Sequence, residues 1–312
     1  MNEKIIEANQ EQRTYLEILG FFGWSVVLLM GLMVAILLYS SLPVLSEFGL
    51  SFFTSVAWDP IENHYGALPF IYGTLVTSLV AIMLATPPSV ATALLVTQIC
   101  PRRIKPFIVL PVQLLSAIPS IVYGLWALFT LAPFLRETFA PFVIGHLSWI
   151  PFFAGPAFGI GYFTAAVVLA IMITPLITSI SMEVFQTVPV SQKEAALALG
   201  STRLEMIWIS VIRPSVMGVF GGVMLGLGRA IGETMAVAMV IGNSISITVS
   251  LFATGSTMAS VIANSYSEAT HPLHLGALSL IALSLFGVTL LVNAFARVIV
   301  RRVEKRIAGG LS

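Results

Sequence analysis

The strongest constraint on this chain is a series of long runs without Asp, Glu, Lys or Arg. Residues 18–46, 67–101, 106–135, 161–182 and 273–296 carry no such residue, and the run 214–241 carries only Arg229 and Glu233. A helix crosses about 30 Å of hydrocarbon with roughly 20 apolar residues. Each run is long enough, so the chain reads as an all-α, polytopic membrane protein with six transmembrane helices. The spans are expected at about 18–42, 67–98, 107–135, 161–184, 214–242 and 273–297. Composition agrees, because 57% of residues are hydrophobic and only 9% charged, against roughly a quarter charged in soluble domains. A soluble enzyme, a disordered chain and a nucleic-acid binder are thereby excluded, the last also by a net charge of only +1.

One uncharged stretch is left out of that count. Residues 138–160 hold Pro141, Pro151, Pro156, Gly145, Gly155 and Gly159. These residues break helices, so the stretch is expected as a loop or re-entrant segment, with Trp149 in the interfacial aromatic belt.

Lys and Arg set the orientation. With six spans and the N-terminus inside, 13 of the 15 fall on cytoplasmic segments, only Arg136 falls outside, and Arg229 lies within a span. Both termini are therefore expected in the cytoplasm. Residues 1–15 read as a polar lead-in, 16–300 as one transmembrane domain and 301–312 as a basic tail. The first span lacks a small-residue cleavage site and reads as an uncleaved anchor.

The loop between spans four and five, residues 186–213, contains Ser191-Gln-Lys-Glu-Ala-Ala-Leu-Ala-Leu-Gly200. Ser191 and Glu194 have capping-box spacing, Ala195 and Ala196 make a narrow helix surface, and Gly200 suits a helix stop. The expectation is a short helix, a turn and a second short helix from Arg203 that leads to Pro214.

Glu194-Ala195-Ala196 followed by Gly200 resembles the EAA loop of permease subunits of ATP-driven importers. In that family the loop docks into a groove of the cytoplasmic ATPase and passes on its motion. The tail of the pattern departs here, since Arg213 stands between Ile212 and Pro214. Three further runs narrow the resemblance: Gly66-Ala-Leu-Pro-Phe-Ile-Tyr-Gly-Thr-Leu-Val-Thr-Ser78, Ala117-Ile-Pro-Ser-Ile-Val-Tyr-Gly-Leu-Trp126 and Gly226-Leu-Gly-Arg-Ala-Ile-Gly-Glu-Thr-Met-Ala-Val237. They are similar to the C-type permease subunits (PstC) of phosphate-specific importers, over about residues 50–300. The resemblance implies the type I ABC importer permease fold, in the inner membrane of a bacterium. It also implies a second permease (PstA-like), a homodimeric ATPase (PstB-like) and an external phosphate-binding protein (PstS-like). No Gly-x4-Gly-Lys-Ser/Thr loop occurs in the chain. The subunit is thus expected to be no enzyme and to hold no cofactor, with ATP used by the partner.

Arg229 and Glu233 are the charges within a span. Each costs about 2.5–3.5 kcal/mol at a helix centre, and Arg229 lies roughly 22 Å along the helix from Pro214. At i and i+4 they can meet on one face. Gly218, Gly222 and Gly226 share that face within an arc of about 80°, which suits close helix packing. This face is expected to meet the partner permease along a translocation path. The Arg fork matches phosphate oxygens, and Glu233 can orient that fork or accept a proton from hydrogenphosphate. A buried pair that merely fixes helix register is the plainer alternative. Thr77 is a weaker pathway candidate, since mid-span hydroxyls mostly bond their own backbone. His271 and His274 have a metal-like spacing but no third ligand, so no metal centre is expected. A permease for another oxyanion, or a proton-coupled secondary transporter using Arg229 and Glu233, are the competing readings.

Overall fold

Residues 2–147 and 149–309 are described in a computed structural model. Among them the secondary structure is helical, apart from the isolated bridges Asp59–His64 and Gly242–Gly255. The helices are α1 Asn2–Phe48, α2 Leu68–Ile99, α3 Lys105–Ala117, α4 Ser120–His146 and α5 Tyr162–Gln186. They continue with α6 Val190–Ala198, α7 Arg203–Gly232, α8 Met235–Val240, α9 Met258–Ser265 and α10 Pro272–Gly309. Six of these, α1, α2, α4, α5, α7 and α10, are long and apolar enough to cross a membrane.

α5 is the hub, with 61% of its most apolar window buried. α2 and α7 are its main neighbours. α1 is the opposite case: its apolar window has no buried residue, and it packs mainly on α10. A helix that is apolar all round and unburied is solvated by lipid. The chain has neither Gly nor Pro between Met1 and Gly20, so the lead-in continues α1 without a break. At the outer end Trp58 meets Tyr65, Phe70 and His274 edge to face and ties α2 to α10. Tyr65 lies outside the spans; burial, and secondarily the Asp59 charge, raise its phenol pKa above the ordinary value.

The third span differs from expectation. Residues 107–135 do not form one helix. α3 stops at Ala117, Ile118 is extended at ψ 129°, and Pro119 opens α4, because a residue before proline is pushed out of the α region. With 13 residues, α3 is only about 20 Å long. The long apolar helix is instead α4, which passes through Arg136 and Glu137 and covers the start of the stretch expected as a loop. Two features allow this. Arg136 Nη2 donates to Glu137 Oε1 at 2.7 Å on the exposed side, and the chain widens into π-turns at Ala127–Leu131 and Leu135–Phe139.

Those π-turns follow a rule across the molecule. The four π segments end at Ile99, Leu131, Phe139 and Ile212, each two residues before a proline: Pro101, Pro133, Pro141 and Pro214. A proline ring clashes with the carbonyl four residues back and offers it no N–H. The i→i+5 turn shifts that carbonyl aside, so the helix survives. Pro133, Pro141 and Pro214 are passed in this way, whereas Pro43, Pro87, Pro88, Pro111 and Pro175 lie inside helices with no π-turn before them.

Candidate functional site

Two regions carry the candidate residues: the turn between α6 and α7, and the end of α7.

α6 starts two residues earlier than the capping-box spacing implies. Its N-cap is Pro189, without a side-chain cap, so Ser191 does not cap it. Proline at the cap already has the extended ψ, 141°, that a helix start requires. The capping box lies instead at Thr202 and Glu205. The Glu205 N–H donates to Thr202 Oγ1 at 3.3 Å, and the Thr202 N–H donates to Glu205 Oε2 at 2.8 Å. The helix this opens is not a separate short one; through a π-turn at Ile207–Ile212 it becomes the fifth span. Gly200 closes α6 at φ +88°. Its N–H donates to Leu197 O and the Ser201 N–H donates to Ala196 O, a Schellman arrangement that needs a left-handed residue.

α6 is thus held by few contacts. Lys193 Nζ donates to Gln98 Oε1 at 3.0 Å, fixing it to the end of α2, and Ser210 Oγ donates to Gln192 O at 3.4 Å. No residue of α6 is buried. Glu194 and Ala195 are exposed and Ala196 is half-buried. Around them Val190, Leu197, Leu199 (89% exposed), Leu204 and Trp208 form an apolar surface facing outward.

The fifth span is not continuous. α7 ends at Gly232, Glu233 is extended at ψ 125°, and α8 restarts at Met235. The break lies beyond the Glu233 Cα, since its φ of −70° is helical and only its ψ departs, so Glu233 still stands one turn above Arg229. Among the described residues no ion pair joins them. Glu233 Oε1 accepts the Ala236 N–H at 3.3 Å and so supports the start of α8. Gly124 of α4 lets α8 approach, since a Cβ there would lie 2.8 Å from Met239 Sδ and 3.1 Å from Ala236 Cα.

The glycine stripe packs within the chain. A Cβ at Gly218 would meet Val184 at 2.6 Å, at Gly222 Ile180 at 2.9 Å, and at Gly226 Ile177 at 2.9 Å. All three partners lie on α5. The expectation that these glycines meet the second permease is therefore corrected; they serve the α5–α7 contact. Arg229 lies at the margin of that contact and is exposed. The outward flank is a different one, Leu225, Arg229, Gly232 and Met235, all exposed, with Gly221 and Gly228 also open. Arg229 is also within electrostatic range of Tyr123, whose hydroxyl donates to Leu115 O at 2.7 Å.

Thr77 is not brought near Arg229 or Glu233 by any hydrogen bond of its own. It is buried, and its hydroxyl donates to Gly73 O at 2.7 Å within its own helix. Among the described residues no group of three or more His, Cys, Asp or Glu could hold a metal ion.

Sequence reasoning missed the segment after α8. Residues 241–257 fold back onto the outer ends of α2 and α5. Tyr72 and Tyr162 donate to Thr248 O and Ser246 O at 2.8 and 3.4 Å, and the Met258 N–H donates to Thr74 Oγ1 at 2.9 Å. Gly255 lies against the Tyr162 ring and Gly73 against Ser256 O, positions that no side chain could share. The alternation Ser-Ile-Ser-Ile-Thr-Val-Ser over 244–250 was the available signal.

A family profile described as "Binding-protein-dependent transport system inner membrane component" matches residues 67–305. Curated relatives named "Phosphate transport system permease protein PstC" include that of Mesorhizobium japonicum. It is 46% identical over 285 residues, 90% of this chain and 87% of that protein. The one from Pasteurella multocida is 41% identical over 310 residues, 98% of this chain and 95% of that protein. Among solved structures, an inward-facing MetNI methionine ABC transporter chain superposes with a TM-score of 0.56 at 17% identity, over 75% of this chain and 94% of that one. At that identity the likeness concerns the fold alone.

Proposed function

Since the chain belongs to the binding-protein-dependent transport system inner membrane components, we propose that it is the permease subunit of an ATP-driven phosphate importer, with Arg229 on its translocation path. It is a multi-pass membrane protein of the ABC importer permease fold. Its partners, on this reading, are a second permease of the PstA type, a homodimeric PstB-type ATPase and an external PstS-type phosphate-binding protein, in a bacterial inner membrane. Residues 16–300 form its transmembrane part, and the ATP is used by the partner.

The observation that carries the pathway reading is the exposure of Arg229 in the last turn of α7, next to a helix break. A guanidinium facing hydrocarbon is costly. A broken helix in a membrane is tolerated where it lines a cavity or is buried in protein. Both conditions are met if the Leu225–Met235 flank faces a wet path between two permeases. There Arg229 presents a planar set of donors to the oxygens of a passing phosphate. Glu233 uses one carboxylate oxygen on α8, and Oε2 has no partner among the described residues. That oxygen is available to accept a hydrogen bond from hydrogenphosphate, which sulfate cannot donate at neutral pH.

Coupling falls to α6. Glu194, Ala195 and Ala196 lie on a short, exposed helix that Gly200 closes, joined through the turn to the fifth span. A push on α6 reaches Arg229 along one helix, since α7 runs from Arg203 to Gly232. The test is phosphate uptake into proteoliposomes holding this chain with its second permease and ATPase, the binding protein outside and ATP inside. Arg229→Gln in an assembled complex is expected to abolish uptake, and Glu194→Lys to release the ATPase. Normal uptake with Arg229→Gln would overturn the pathway reading. Uptake by this chain alone, driven by a proton gradient, would replace it with secondary transport.

A further inference from the structure

Residues 244–250 have the construction of an open strand edge. The even-numbered residues turn their backbone inward: Ser244 O accepts from Ser256 Oγ, Ser246 O from Tyr162 and Thr248 O from Tyr72, while the Ser244 N–H donates to Gly255 O. Successive backbone groups of an extended chain point to opposite sides. The N–H and C=O groups of Ile245 and Ile247 thus face away from the molecule, and they have no partner among the described residues. The side chains of Ile245, Ile247 and Val249 are exposed as well.

Proteins that leave such an edge in water blunt it with charge or proline. This one has neither: from Thr234 to Ser267 there is no Asp, Glu, Lys, Arg or Pro. Lipid cannot satisfy the free backbone groups. The edge also starts inside the helical layer, because Ser244 pairs with Gly255 beside Ser256, and Ser256 abuts Gly73, about 8 Å down α2 from Leu68. Along the chain the edge follows the exposed flank Leu225, Arg229, Gly232 and Met235, with the buried or half-buried residues 236–242 between the two.

We propose that the outward edge of Ile245 and Ile247 pairs, backbone to backbone, with an uncharged extended segment of the second permease subunit. The pairing would close the outer end of the interface between the two chains. Ile245, Ile247 and Val249 would then form its apolar seal, a constriction of the kind that gates by excluding water. The proposal rests on the heterodimeric permease reading above.

The experiment uses the assembled complex in native membranes, with the photoreactive residue p-benzoylphenylalanine placed singly at Ile245, Ile247 and, as the reference, Leu225. Irradiation is expected to join this chain to the second permease from all three positions. In the purified complex, amide exchange at Ile245 and Ile247 is expected to be about tenfold slower than in the chain alone, the scale of one net hydrogen bond. Products from Leu225 but not from Ile245 or Ile247 would overturn the edge pairing and leave the heterodimer standing. Products from Ile245 and Ile247 with the external binding protein or lipid only, or exchange unchanged on assembly, would also overturn it. Absence of any product with a second permease from Leu225, and no second permease in the purified complex, would instead overturn the heterodimeric reading.

Discussion

Gly218 and Gly221 lie three residues apart on α7 and predict opposite effects of the same substitution. A Cβ at Gly218 would lie 2.6 Å from both γ-methyls of Val184, while at Gly221 nothing lies within 4 Å. The shortfall at Gly218 against ordinary contact, about 0.8 Å, falls on a branched side chain near its backbone. Val184 cannot swing its methyls aside as a Met could. Replacing glycine by alanine inside a helix gains about 0.5–1 kcal/mol at both positions, so the difference between the variants isolates the clash. Overpacking of this kind costs about 1–3 kcal/mol. At about 2 °C per kcal/mol for a chain this long, Gly218→Ala should melt about 2–6 °C below Gly221→Ala. The assay is thermal unfolding of the purified subunit in detergent, followed by tryptophan fluorescence. Combining Gly218→Ala with Val184→Ala should recover most of the difference. Equal melting temperatures, or no recovery in the double variant, would refute the α5–α7 contact as described.

Other outcomes follow from the same geometry. Arg229→Lys keeps the charge but loses the planar fork, so uptake by the assembled complex should fall at least about tenfold, with normal ATPase binding. Leu199→Asp, at a residue 89% exposed, should leave the melting temperature within about 2 °C and reduce co-purification of the ATPase. Gly255→Ala drives a methyl into the Tyr162 ring. It should loosen 241–257, seen as faster proteolysis there, and lower uptake without changing the amount of chain in the membrane. Thr77→Val, which removes a buried hydroxyl bonded only within its own helix, should leave transport unchanged.

The sequence announced the helical class and six crossings, because hydropathy over about 20 residues integrates a large energy and tolerates local errors. The position of the third crossing was not legible. Arg136 and Glu137 look like a boundary, yet adjacent opposite charges satisfy each other, and the π-turns absorb Pro133 and Pro141. At the candidate site, periodicity identified Gly218, Gly222 and Gly226 as a packing stripe but could not name its partner, since α5 and a second subunit demand the same small residues. The Arg229–Glu233 spacing permits an ion pair without requiring one, and Glu233 Oε1 instead accepts the Ala236 N–H at the start of α8. The break falls just after Gly232, which periodicity does not single out among the glycines of α7, and beyond it α8 lies against Gly124 of α4.

The π-turns also change how the surface of this molecule should be mapped. A helical wheel advances about 100° per residue, and each π-turn slips one additional residue into the winding. Along α4 the slip occurs twice within 27 residues. A pattern drawn from Ser120 with a uniform period is therefore out of phase beyond Leu131, and further out beyond Phe139. A cysteine-accessibility scan of α4 will return three short waves with jumps at those two residues, and the seam between lipid and protein will run down the helix in steps.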